Sequence, residues 1–151
     1  MTRKPELSLR ARALQALARR EFSRVELRGK LIAHILEEDN VEALLDDLEK
    51  RGWLSDERAL EQTVRIRSAR FGTQRITHEL RQKGISEELI NASIPNLKEV
   101  ELDTARNVWQ RKFGKHPQDQ KEKMKQMRFL QSRGFSTSII CQVMKLSDCD
   151  E

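Results

Sequence analysis

The sequence predicts an all-α fold, a tandem array of three three-helix repeats, elongated and curved. Three observations predict it. Apolar residues recur at helical spacing, most clearly at Val41, Leu44, Leu45 and Leu48. Tyr is absent, and no stretch sustains the period-two alternation of a strand. A short signature also recurs at a period of about fifty residues. Glu-Leu-Arg-x-Lys stands at 26–30 and again at 79–83, and a weaker copy follows as Phe129-Leu130-Gln131-Ser132-Arg133. Upstream of each copy lie a base, a Phe and a small residue: Arg20-x-Phe22-Ser23, Arg70-Phe71-Gly72 and Lys112-Phe113-Gly114. Units of this size close no core alone, so they stack into arrays. The repeats are assigned to residues 1–54, 55–96 (the central basic unit) and 97–151.

Residues 1–6 are polar and expected to fray. Leu7, Ala11, Leu14, Leu17 and Ala18 keep one helical face, which ends near Phe22. Ser23 and Glu26 form a capping box, so a second helix starts there, with Leu27, Leu31 and Ile35 on one side. Residues 37–40 turn, and Asn40 caps the amphipathic helix that follows, whose outer face is acidic through Glu42, Asp46, Asp47 and Glu49. Gly52 closes it, and Trp53 and Leu54 are expected to dock between the first two units. Ser55 caps a helix to about Arg70, with acidic Asp56 and Glu57 on its first turn and Ala59, Leu60, Val64 and Ile66 facing inward. Arg67 falls within that apolar arc, where it snorkels or pairs with a carboxylate. Between Gln62 and Lys83 six bases face one acid, Glu79.

Ile76 and Leu80 carry the next helix to Gly84, and Ser86 caps a short one through Leu89 and Ile90. Ile94-Pro95-Asn96 is the expected linker, because proline disfavours helical geometry at the residue before it. Val100, Leu102, Ala105, Val108, Trp109 and Phe113 then form a helix, and residues 114–119 a loop. A basic helix follows with Met124, Met127 and Leu130 inside and Lys121, Lys123, Lys125, Arg128 and Arg133 outside. Ser136 caps the last helix, packed through Ile139, Ile140, Val143 and Met144, and an acidic tail runs from Ser147.

The chemistry of catalysis finds no local support. His34, His78 and His116 fall in different units, and neither His-x-x-x-His nor Cys-x-x-Cys occurs, so no metal site is expected. Phe71-Gly72-Thr73 is a turn and not a phosphate loop, and no Ser-His-Asp arrangement is suggested, so no cofactor and no enzyme activity are expected. Cys141 reads as core; with Cys149 it makes no disulfide framework, which implies a reducing cytoplasm. No N-terminal apolar run marks a signal peptide or membrane span. Trp53 and Trp109 are expected at buried inter-helix contacts rather than as stacking platforms.

Binding is what remains, and the formal charge of +5 points to a polyanion or an acidic protein surface. Two classes stay open on composition: basic helices lying on nucleic acid, weakened by salt, or an array inserted into a groove of a protein assembly. A helix-turn-helix version of the first lacks a short recognition pair with outward Asn, Gln or Arg at a helix start.

The chain resembles the RecX regulatory proteins of bacteria. The resemblance rests on residues 52–59 (Gly-Trp-Leu-Ser-Asp-Glu-Arg-Ala), the Arg70-x-Gly72 turn, Ile76, and residues 79–85 (Glu-Leu-Arg-Gln-Lys-Gly-Ile). Two outer pieces agree: Ser23-Arg24-x-Glu26-Leu27-x-x-Lys30-Leu31, and Arg128-Phe129-Leu130-x-x-Arg133-Gly134-Phe135-Ser136. The pattern covers roughly residues 8–145 and departs where an aromatic commonly follows the position of Arg58; here Ala59 and Leu60 stand instead. The resemblance implies a cytoplasmic, monomeric, non-catalytic regulator of recombination, repair and the SOS response. It would lie in the groove of the RecA–DNA filament, inhibit ATP hydrolysis and strand exchange, and also bind single- and double-stranded DNA. The competing expectation is a general nucleic-acid-binding helical protein without a RecA partner. Arg24, Arg28, Arg65, Arg70, Arg75, Lys83, Lys125 and Arg128 are the expected contacts, and Gly52, Trp53, Gly84, Gly134 and Phe135 are expected to shape the array.

Overall fold

The computed structural model describes residues 7–145. The expected frayed start, the acidic tail and Cys149 lie outside the described residues. Among the described residues there are eight α-helices and no strand. They are α1 (Leu9–Arg19), α2 (Arg24–Leu31), α3 (Val41–Lys50), α4 (Asp56–Arg67), α5 (Thr73–Gln82), α6 (Glu87–Lys112), α7 (Gln120–Ser132) and α8 (Thr137–Met144), with a 3-10 turn over Ile32–His34. None is long and apolar enough to cross a membrane. The chain divides into two compact units, residues 1–62 with 83–85 and residues 63–82 with 86–151.

In the first unit the local signals act as the sequence suggests. Ser23 accepts from the Glu26 amide at 3.1 Å, and the Glu26 carboxylate accepts from the Ser23 amide at 3.0 Å, a complete capping box on α2. Asn40 caps α3 by accepting from the Ala43 amide at 3.0 Å. α3 ends in a Schellman motif: Gly52, with φ +76°, donates to Glu49, and the Trp53 amide donates to the Leu48 carbonyl at 3.0 Å. The core joins Leu9, Ala13, Ala16, Phe22, Leu27, Leu31, Val41, Leu45, Leu48 and Leu54.

Two expectations in this unit need correction. α1 stops at Arg19 and buries Leu9, Ala13 and Ala16, while Leu7, Leu14 and Ala18 stay exposed. The small alanines sit against the core because they admit close helix approach, a choice that counting large apolar residues misses. Trp53 does not dock; it is 44% exposed, whereas Leu54 is buried. Its ring instead lies beneath two guanidiniums, Arg51 at 5.3 Å and Arg10 at 5.7 Å.

In the second unit α5 packs on α6, and α6 on α7 and α8. Ala105, Trp109, Leu130, Phe135, Ile140, Val143 and Met144 form its main cluster. The expected linker at residues 94–96 is helix: α6 runs unbroken through Pro95, absorbing both the short helix after Ser86 and the one from Val100. A proline inside a helix costs about 3 kcal/mol through the lost amide and the ring clash. Against that stands one continuous buried stripe, Ile90, Leu97, Glu101, Thr104, Ala105 and Trp109. Each large apolar member contributes roughly 1.5–3 kcal/mol, so burial wins. Asn91, whose carbonyl loses its partner, is exposed and open to water.

Ile66 is 59% exposed and not inward, because α4 stops at Arg67 and leaves it in the last turn beyond the packed Ala59, Leu60 and Thr63. Met124 is 39% exposed because Gln126 takes the inward place on α7. The Gln126 side chain accepts from Trp109 Nε1 at 2.8 Å and donates to the Lys115 carbonyl at 3.0 Å. Trp109 is buried as expected.

The repeated signature has a structural meaning within each unit. In the first, the Ser23 hydroxyl donates to the Lys83 carbonyl, and Gly84 lies against Val25. In the second, the Gly72 amide donates to the Arg133 carbonyl at 2.8 Å, and Gly134 lies against Arg75. A Phe-plus-small pair therefore meets a base-plus-glycine pair in both. Gly134 has φ +89°, and a Cβ there would stand 2.6 Å from the Arg75 backbone nitrogen, so no other residue fits without strain.

Candidate interaction surface

Charge is unevenly shared. The first unit carries 13 basic and 13 acidic residues, the second 16 and 11, so the whole net charge of +5 belongs to the second. Within the first, the bases are largely engaged. Arg24 reaches three carboxylates of α3: Asp46 at 2.6 Å, Glu49 at 2.8 Å and Glu42 at 2.9 Å. Glu42 first, then Glu49 and Asp46, push its pKa further above the usual arginine range. Arg28 lies 2.7 Å from Glu42. Arg24 and then Arg28 hold the Glu42 carboxyl below its ordinary value. Arg10 and Arg51 each stand 2.9 Å from Asp47 and depress its carboxyl likewise, Arg10 first. The two arginines over Trp53 are thus clamped by one acid.

In the second unit the turn between α4 and α5 is fixed from three sides. The Thr104 hydroxyl of α6 donates to the Ser68 carbonyl at 2.9 Å. Gly72 is held by Arg133, as above. The buried Glu101 of α6 accepts from the Thr73 amide at 3.4 Å and the Thr73 hydroxyl at 3.0 Å, placing a carboxylate at the start of α5 where the helix dipole favours it. This holds Phe71 among guanidiniums, Arg75 at 4.3 Å, Arg133 at 5.2 Å and Arg67 at 5.9 Å from its ring centroid. Arg133 also lies 5.2 Å from Phe129, which receives Lys112 at 5.4 Å and meets Phe113 edge-on.

Two grooves flank this cluster. The first, of about 550 Å³, is lined by Arg67, Phe71, Arg75, His78 and Glu79 among others. Its charge is tempered, since Arg67 pairs with Glu79 at 3.1 Å and Arg75 donates to the Ser132 carbonyl at 2.9 Å. The second, of about 460 Å³, has Arg70, Arg111, Lys112 and Arg133 in its walls with Asn107 and Phe129, and no carboxylate. None of those four cations forms an ion pair with a described residue. No group of His, Cys, Asp and Glu among the described residues is placed to hold a metal ion.

The expected contact residues therefore separate. Arg75 stands over Phe71 in the first groove and Arg70 lines the second, while Arg65 of α4 and Lys125 and Arg128 of α7 are exposed. Arg24 and Arg28 lie on the acidic face of α3. Lys83 is half-buried with Nζ 4.0 Å from Glu26. Arg111, Lys112 and Arg133 escape the residues that the sequence marks for contact. The signature flags their places, since Lys112 is its base before Phe and Arg133 its base before Gly.

Comparison with known proteins follows the same lines. Residues 55–94 match the family described as RecX, second three-helix domain, and residues 99–144 that described as RecX, third three-helix domain. A regulatory protein RecX of Leptothrix cholodnii is 45% identical over 96% of this chain and 92% of its own length. That of Ralstonia nicotianae is 43% identical over 94% and 89%. The fold is similar to a crystal structure of RecX from Lactobacillus salivarius, with a TM-score of 0.74 at 21% identity over 91% of this chain and 92% of that one. A crystal structure of regulatory protein RecX gives 0.76 at 24% identity, over 91% and 71%.

Proposed function

The chain belongs to the RecX family of non-enzymatic regulatory proteins, and on that premise we propose that it is a negative regulator of the RecA recombinase. It binds in the groove of the RecA–DNA filament, slows ATP hydrolysis and hinders strand exchange. The observation that carries the reading is the near full-length identity to RecX regulators. The uncompensated positive charge of the second unit supports it, because a filament coated on a polyanion attracts such a surface.

Contact is assigned to Arg65, Arg70, Arg75, Lys125 and Arg128, with Lys83 at their margin. Arg24 and Arg28 have the additional task of neutralising α3. The three repeats, 1–54, 55–96 and 97–151, supply linked contacts, which raise effective concentration. RecA-driven ATP hydrolysis on single-stranded DNA tests the reading. Hydrolysis falls in proportion to added protein until it saturates; an unchanged rate at saturating protein would refute it.

A further inference from the structure

The groove walled by Arg70, Arg111, Lys112 and Arg133 gathers four cations that no carboxylate of the described residues pairs with. We infer that it is a phosphate-binding groove that seats the sugar–phosphate backbone of single-stranded nucleic acid. The inference deepens the DNA contact of the reading above by giving it a site.

Four cations line one open space of about 460 Å³ with no carboxylate among its walls. Burying like charges side by side without a counter-ion is unfavourable, so such a set is stable only while solvated or while an anion occupies it. In the first unit Arg24, Arg28, Arg10 and Arg51 are each answered by a carboxylate of α3. Here the protein supplies none. The groove is also held open: Phe129 props Lys112 and Arg133, Phe71 backs Arg133, and the Ser68–Thr104 bond fixes the turn carrying Arg70. A prearranged set of cations loses little conformational freedom on binding.

The donor count calls for a run of anions rather than a single one. Three guanidiniums and one ammonium offer roughly eighteen N–H donors, whereas a carboxylate has about four lone-pair sites. A run of phosphodiesters satisfies such an array, and guanidinium forks match phosphate oxygens in pairs. Asn107 adds a neutral donor to the same wall.

The test uses the full chain, a fluorescent oligothymidylate and no recombinase, so its outcome is independent of the inhibition reading. Anisotropy gives affinity as a function of salt for the wild type, for Arg111→Gln/Lys112→Gln, and for Arg70→Gln from the opposite wall. Lys98→Gln/Lys121→Gln removes the same charge from exposed helix positions elsewhere. Removing one cation from a phosphate lowers the salt slope by about 0.7, so the Arg111/Lys112 pair should flatten it by about 1.4. Affinity should fall about tenfold at the pair and severalfold at Arg70→Gln, with the control pair nearly unchanged. Circular dichroism should be alike for all, as these side chains are surface groups. Equal losses in the groove and control pairs would overturn the site in favour of bulk charge. Competition by polyglutamate as effective as by unlabelled oligothymidylate would overturn it in favour of an acidic protein segment.

Discussion

Arg24 sets the electrostatics of the first unit, and its effect is visible through the acids it serves. The carboxyls of Glu42 and Asp47 lie below their ordinary values of 4.5 and 3.8, held there chiefly by Arg24 and by Arg10. A carboxyl depressed on folding contributes stability that is complete above its unfolded value and is lost as pH falls through the folded one. Thermal melts should therefore show a decline in Tm as pH falls below about 4.5, shallower in Arg24→Gln, which has less to lose. Identical pH profiles for the two proteins would remove Arg24 from this role. Arg70 and Arg75, alike as sequence, differ in what they hold. Arg70→Ala should leave stability within about 0.5 kcal/mol. Arg75→Ala should cost about 1 kcal/mol by urea unfolding, because it forfeits the Ser132 carbonyl bond. At this scale the caps were legible: Ser23, Asn40, Ser86 and Ser136 each accept the amide three residues on, a rule that needs only local geometry. Trp53 was not legible, since its exposure depends on Arg10 and Arg51 being clamped by Asp47, a triangle assembled only in three dimensions.

Helix α6 shows how a tertiary stripe overrides a local breaker. Pro95 reads as a boundary because its cost is local, while the benefit of continuing lies in Ile90, Leu97, Ala105 and Trp109, spread over five turns and dependent on α5, α7 and α8. Replacing Pro95 by Ala should restore the bond to the Asn91 carbonyl and remove the ring clash. We expect a gain of about 2 kcal/mol in urea unfolding, the helix penalty less the unfolded-state stiffening that proline provides. Unchanged or lowered stability would mean that the helix already accommodates the ring without strain. The turn after α7 makes the opposite case. Gly134→Ala should lose about 1–3 kcal/mol through its left-handed backbone, and Arg75 leaves no room for relaxation. The glycine was legible as part of the recurring signature; its contact with α5 was not, because sequence spacing alone does not say which helix a turn will meet.

For the molecule as a whole, the net charge was legible from composition, but its location was not. The first unit balances 13 bases with 13 acids and the second sets 16 against 11, a division that needs the unit boundaries the fold draws. The continuity of α6 also bears on cutting the chain near Leu97, just past the expected linker. Such a fragment would end inside the helix that carries Glu101 and Trp109, so it should lose helicity, and whole-chain variants are the better probes. The central claim is that the filament, not bare nucleic acid, is the primary partner. Its most direct measurement is affinity for RecA-coated and for bare single-stranded DNA across a range of salt. The account predicts tighter binding to the coated strand and a shallower salt slope there, because protein contacts add to phosphate neutralisation. Equal affinity and equal slope on both would contradict it and make the protein a plain nucleic-acid binder.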